Sequence, residues 1–168
     1  MDTLNYRSAV AADAAAIRAT SLQSYRQFEK VLSREYWEQM HHGMTDPGVL
    51  DELMSIAATF VCDTGSGLAG VVFLVPSGHP TPIYPANWAY IRRLGVDPAF
   101  RSMGVGRRLI ELCIEQARIN GEKILGLHTG TMMPEARRLY DRLGFSLIKE
   151  LEPLLGQQYW LYSMDLSQ

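Results

Sequence analysis

The chain has 168 residues, 16 of them basic and 18 acidic, for a net charge of −2 at neutral pH. A length of this order suits one domain that buries about two thirds of the surface it exposes when unfolded, and the lack of a basic block excludes a nucleic-acid binder that works by neutralising phosphates along a broad face. Residues 1–5 lack the basic start and apolar core of a signal peptide and the most apolar run, residues 68–76, is too short to span a bilayer, so a cytoplasmic protein with no membrane partner is expected.

Residues 4–9 read as a first strand, and Asp13 as the cap of an alanine-rich helix that continues through Ile17 and Leu22 toward Phe28. Ser33 opens a second helix, which ends near His41, His42 and Gly43. A third helix, residues 49–57, follows Asp46 and Pro47. Residues 59–63 and 68–75 are apolar runs joined by Thr64, Gly65, Ser66 and Gly67, the pattern of an antiparallel hairpin. Residues 76–86 contain four prolines and form a loop, either a plain connection or a functional flap.

Residues 88–96 form the next strand, and residues 103–120 a helix that turns Val105, Leu109, Leu112, Cys113 and Ala117 inward and ends at Gly121. Residues 124–129 return as a strand parallel to residues 88–96 through a right-handed crossover. Residues 134–143 form the last helix, stopped by Gly144, and residues 145–150 and 159–166 are two closing strands. Cys62 falls in a strand and Cys113 on an apolar helix face, which fits a reducing compartment; ordinary packing outweighs a nucleophilic role for either thiol.

The stretch with the most chemistry in it is Arg101-Ser102-Met103-Gly104-Val105-Gly106, set between a strand and a helix. A helix N-terminus offers unpaired amides and a partial positive charge, and glycine lets an anion approach the backbone. A P-loop needs lysine and a hydroxyl residue after its last glycine, whereas Gly106 is followed by Arg107 and Arg108. A dinucleotide fingerprint needs a third small residue where Leu109 stands. Arg92, Arg93, Arg101, Arg107 and Arg108 crowd the same region, either as a solvated face or as positive charge placed for one small polyanion.

This Arg-x-x-Gly-x-Gly run, with Ala136-Arg137-Arg138-Leu139-Tyr140 and Gly144-Phe145 downstream, resembles the pyrophosphate loop and the following helix of the GNAT superfamily of N-acetyltransferases. Its motifs cover residues 91–145; residues 1–89 match only in the order of elements. The resemblance implies an α/β fold, one N-acetyltransferase domain over residues 1–168. Its mixed central sheet would have about six to seven strands flanked by helices, with a parallel, splayed strand pair carrying the cofactor loop. It implies acetyl-coenzyme A as acyl donor, held along the strand by Leu94, Gly95 and Val96 and at the loop by Arg101, Ser102, Met103, Gly104, Val105, Gly106 and Arg107. The implied partner is a small-molecule or peptide amine, with a homodimer as an allowed assembly.

Acetyl transfer to an amine needs a deprotonated acceptor, a stabilised oxyanion and a proton for the departing thiolate. An alkyl amine is neutral in only about one molecule in two thousand at pH 7, equivalent to about 4.6 kcal/mol, so a base or a water chain must help. The resemblance assigns Tyr140 as the proton donor to sulfur; the alternative is a ring packed at helix spacing beside Leu139. Many relatives carry a glutamate in the strand before the loop, but here Tyr90 takes that place. His128, at the end of the parallel strand, is the remaining candidate base, beside a water-relayed proton.

Met133 stands where many relatives have an asparagine that contacts the cofactor, a contact left to Thr129 or Thr131. Residues 24–40, with Tyr25, Phe28, Tyr36 and Trp37 among Glu29, Glu35 and Glu38, are expected to shape the acceptor pocket for a cationic amine, or else to be ordinary core and surface. His41 and His42 have no ligand partners at metal spacing, so no metal is expected. The missing glutamate leaves a rival reading open, a coenzyme A binding sensor or structural module without turnover.

Overall fold

The structure, a computed structural model, describes residues 3–167; Met1 and Asp2, part of the N-terminal segment read above, lie outside the described residues. Seven strands form one sheet in the order β1-β2-β3-β4-β5-β7-β6. They are β1 (Asn5–Ser8), β2 (Ala58–Asp63), β3 (Leu68–Val75), β4 (Ala89–Val96), β5 (Ile124–Gly130), β6 (Ser146–Leu154) and β7 (Gln157–Asp165). Every pairing is antiparallel except β4 with β5, so the sheet is mixed, with its parallel pair where the sequence put the crossover.

Five α-helices cover the sheet: α1 (Ala14–Tyr25), α2 (Arg34–Thr45), α3 (Pro47–Ile56), α4 (Val105–Ile119) and α5 (Pro134–Leu143). All eight residues of β3 are buried, because helices lie on both of its faces and leave no polar side to the strand. On one face Val72, Leu74 and Ile91 pack with Val105, Leu109 and Cys113 of α4. On the other, Val71, Phe73 and Val75 pack with Ile17 of α1 and Leu50 and Leu53 of α3. Gly70 lets α4 approach this closely: a Cβ there would stand 2.8 Å from Val105 Cγ1 and 2.9 Å from Leu109 Cδ1.

Helix boundaries follow local chemistry. Ser33 caps α2 by accepting a hydrogen bond from Tyr36 N, as read from the sequence. Gly43, however, is not a stop. The helix runs on to Thr45, where Asp46 ends α2 through its own N–H and caps α3 through its carboxylate, with Pro47 at the first helical position. Asp13 likewise does not cap α1. Its carboxylate instead accepts from Arg7 at 2.8 Å and from Val10 N, and a 3₁₀ turn, Ala11–Asp13, leads into the helix. A second 3₁₀ segment, Arg26–Lys30, continues α1 toward Phe28.

Gly121 and Gly144 end α4 and α5 in the left-handed region, at φ 76° and 98°, where a side chain is strained. Both cysteines are buried and unpaired. Among the described residues no helix is long and apolar enough to cross a membrane.

Candidate active site

The site follows from how β4 and β5 part. They pair only at Ala89↔Leu125 and Tyr90↔Gly126, so residues 91–96 and 127–130 diverge and open a wedge in the sheet. β4 is also bulged against β3. Val71 pairs with Gly95 and Phe73 with Arg92, so Arg93 and Leu94 together face one residue of β3. Arg93 takes a φ of 53° to do this, a left-handed conformation uncommon outside glycine. The strand is thereby turned away from β5 where the wedge opens.

One cavity of about 620 Å³ lies over the start of α4. Leu94 and Val96 of β4 and Arg101, Ser102, Gly104, Val105, Gly106 and Arg107 of the loop line it. Ser102 at φ 64° and Gly104 at φ 79° place left-handed residues beside the helix start, the curvature that turns successive amides toward an anion. No side chain caps α4, so its first-turn amides, which have no intrahelical acceptor, are left uncapped, and their residues Val105, Gly106 and Arg107 line the loop cavity. Arg101, Arg107 and Arg138 bring positive charge and Glu135 one acid. This combination fits a diphosphate.

Two expected members stand elsewhere. Met103 is 54% exposed and does not line the cavity. Gly95 is buried against α1, where a Cβ would come 3.3 Å from Ser24. The two glycines of the loop also differ. Gly104 is needed for its conformation, whereas a Cβ on Gly106 would make only ordinary contacts of 3.6 Å with Leu94 and Val96.

The β4 backbone is engaged by α1 rather than free. Tyr25 donates its hydroxyl to Leu94 O at 2.8 Å, and Val96 N donates to Ser24 Oγ at 3.1 Å. Arg101 is tied to the same helix end, donating to Ser24 O and to Gln27 Oε1. Ser24, Gln27 and Arg138 were not singled out from the sequence. Arg138 sits inside the recognised helix motif and was within reach, whereas nothing near Ser24 or Gln27 announces a contact with a strand some seventy residues on.

A second cavity, of about 400 Å³, lies on the other side of the wedge. The two meet at Tyr25, Leu94, Met133 and Ala136, which line both. Tyr140 of α5 lines the second cavity, 6% exposed, with Phe145 edge-on at 5.9 Å. Burial, then the neighbouring Tyr25 and Cys113, push its pKa well above the usual phenol value, so the hydroxyl stays protonated. Thr129 lines the same cavity with a buried hydroxyl that has no hydrogen-bond partner. Thr131 is exposed and bonds Gln157 instead.

His128 also lines this cavity, its Nδ1 2.6 Å from the Tyr84 hydroxyl. Burial, reinforced by Arg92, lowers its pKa to about 4, below the ordinary histidine value of about 6.5. Tyr84 comes from the proline-rich loop. It is 2% exposed and stacks on Tyr90 at 4.2 Å, so its ring pins the loop to the sheet. Tyr90 is spent in that stack and does not line the cavity.

The expected acidic lining of the second cavity is absent. Tyr25, Gln39, Met40, Gly43 and Met44 come from α1 and α2, while Glu29, Glu35 and Glu38 are exposed and outside it. The arginine cluster divides as well. Arg101 and Arg107 face the loop cavity, Arg92 and Arg93 face the second one, and Arg108 pairs with Glu115 at 3.1 Å. Adjacent strand residues point to opposite faces in a regular strand, and the bulge is what overrides this for Arg92 and Arg93.

A mixed sheet wedged open beside a glycine-started helix is the frame of the site, and the comparisons give its class. The model of the acetyltransferase (GNAT) family matches residues 20–145, and the chain belongs to that family. An acetyltransferase of Agrobacterium fabrum is 38% identical over 72 residues, 43% of this chain and 51% of that protein. An uncharacterized N-acetyltransferase of Methanocaldococcus jannaschii is 42% identical over 86 residues, 51% of this chain and 38% of the relative. The chain thus matches about half or less of the length of these relatives. The PaiA N-acetyltransferase of Thermoplasma acidophilum, solved in complex with coenzyme A, has the same fold at a TM-score of 0.79 and 15% identity, covering 97% of this chain and 99% of that one.

Proposed function

We propose that the chain is one N-acetyltransferase domain that moves an acetyl group from acetyl-coenzyme A to a primary amine by direct attack where the two cavities meet. The observation that carries this reading is their adjacency: an anion cradle at Gly104 and a cavity lined by Tyr140 have Tyr25, Leu94, Met133 and Ala136 as common lining. Acetyl-coenzyme A supplies the activated acyl group and a diphosphate. The amides around Ser102 to Gly106, with Arg101 and Arg107, hold that diphosphate, and Leu94 and Val96 border the path toward Tyr140. Direct attack is favoured over an acetylated enzyme because neither Cys62 nor Cys113 lines either of these two cavities, and burial raises both thiol pKa values.

Tyr140 is the group assigned to the departing sulfur. Its raised pKa makes it a hydrogen-bond donor that keeps its proton until negative charge develops on sulfur. His128, held neutral, shares a hydrogen bond with the Tyr84 hydroxyl through Nδ1, and the amine proton leaves through water or through that pair. A second reading, a coenzyme A binding module without turnover, is favoured by one feature, the loss of Tyr90 to packing. Calorimetry tests the donor site: coenzyme A should bind the parent, and Gly104→Val, which strains φ 79° at a position whose Cβ would meet no other atom within 4 Å, should bind at least tenfold more weakly while remaining folded. Undiminished affinity would reduce the loop to a helix start. Turnover separates the two readings.

A further inference from the structure

The second cavity is electrostatically one-sided. Arg92 and Arg93 line it with His128, and no aspartate or glutamate does. Neither arginine takes part in an ion pair among the described residues. Arg93 donates from Nη1 to Gly43 O at 2.8 Å, one of the last carbonyls of α2. A guanidinium carries about five N–H donors, so most of the donors of this pair are uncommitted. Partly buried guanidinium groups without a counter-charge are costly, and they are suited to planar anions that they can grip through paired hydrogen bonds.

Position supports the same occupant. The bulge at Arg93 puts two successive arginines in one cavity, and both precede Leu94, the wall shared with the donor cavity. Leu154 at the end of β6, Leu155 of the turn that follows and Tyr159 of β7 also line the cavity. Gly156 in that turn rests on the Tyr36 ring of α2, where a Cβ would come 2.9 Å from Cε2, so the turn is seated against the helix. At about 400 Å³ the cavity suits a small molecule or the end of a peptide.

Resting on the acyltransferase reading above, we infer that the acceptor is an amine that also carries a carboxylate, held by Arg92 and Arg93 with its nitrogen directed toward Tyr140. An amino acid and a peptide with an acidic first residue share this chemistry. A purely cationic amine meets two like charges instead, and the exposed glutamates of α2 are not part of the lining.

The test uses product mimics and reads binding, so it does not depend on finding turnover. N-acetylglycine and N-acetyl-β-alanine are titrated against their carboxamides, with and without coenzyme A, and a short N-acetylated peptide beginning with glutamate is titrated in parallel. The acids should bind at least tenfold more tightly than the amides. Arg92→Gln should abolish that preference and Arg92→Lys should keep part of it, with coenzyme A affinity as the check on folding. Tighter binding of the small acids assigns an amino acid, and tighter binding of the peptide assigns a protein N-terminus. Acids that bind no better than amides, or a preference that survives in both Arg92→Gln and Arg93→Gln, would overturn the inference. Failure of coenzyme A to bind, with the acid preference intact, would instead count against the donor reading alone.

Discussion

Tyr140 is where the proposed chemistry narrows to one hydroxyl. Tyr140→Phe keeps the ring against Phe145 and Tyr162, so folding and coenzyme A affinity should hold while turnover falls by about a hundredfold, some 2.7 kcal/mol of transition-state stabilisation. That is more than a neutral hydrogen bond contributes net to folding, about 1 kcal/mol, so the loss belongs in rate rather than stability. Turnover within twofold of the parent, with an acceptor for which chemistry limits the rate, would assign the ring to packing. His128 makes the opposite kind of prediction. With its pKa lowered to about 4, the profile of kcat/KM should show no limb near 6.5 and should rise with acceptor ionisation, and His128→Gln should leave that rise in place. A limb near 6.5 that disappears in His128→Gln would make the histidine the base after all.

At the scale of elements, the wedge and the bulge of β4 organise the site, and α4 must lie close to β3 for the loop to be held. Gly70→Ala tests that seating. A methyl at 2.8 Å from Val105 forces α4 or β3 to shift, and overpacking of this kind costs about 1–3 kcal/mol, to be read from urea unfolding. Unchanged stability would mean that α4 does not rest on Gly70. The loop and the parallel crossover were legible in the sequence because they depend on short-range signals: a strand, a glycine, a helix with one apolar face. The division of the arginines was not. Arg92 and Arg93 adjoin the loop in sequence, and only the register slip against Val71 and Phe73 turns both into the other cavity. The acidic face of α2 misled for a similar reason. The family resemblance put Glu35 and Glu38 near the acceptor, but α2 lines the cavity with Gln39, Met40, Gly43 and Met44 instead. Gly43 failed as a stop because Asp46 and Pro47 supplied a stronger boundary three residues later.

For the molecule as a whole, the buried histidine ties stability to pH. His128 titrates near 4 when folded and near 6.5 when unfolded. Between those values the unfolded chain binds the proton and the folded one does not. Stability should therefore decline as pH falls from about 6.5 through about 4, by at most about 1.4 kcal/mol per pH unit from this group. Asp13, lowered to about 2 chiefly by its hydrogen bond from Arg7, contributes stability that is present above its unfolded value and lost as pH falls through about 2. Urea midpoints across this range should show both declines in the parent, and only the lower one in His128→Gln. A single decline below pH 4 in the parent would place the histidine in water. The central claim is that donor and acceptor meet at one junction in one fold. The most direct measurement follows, in the same reaction, free thiol and N-acetylated product from acetyl-coenzyme A and a panel of carboxylate-bearing amines. Equal amounts of the two, formed at a rate that Tyr140→Phe lowers about a hundredfold, are predicted; thiol released without acetylated amine, or no release with any acceptor despite tight coenzyme A binding, would contradict it.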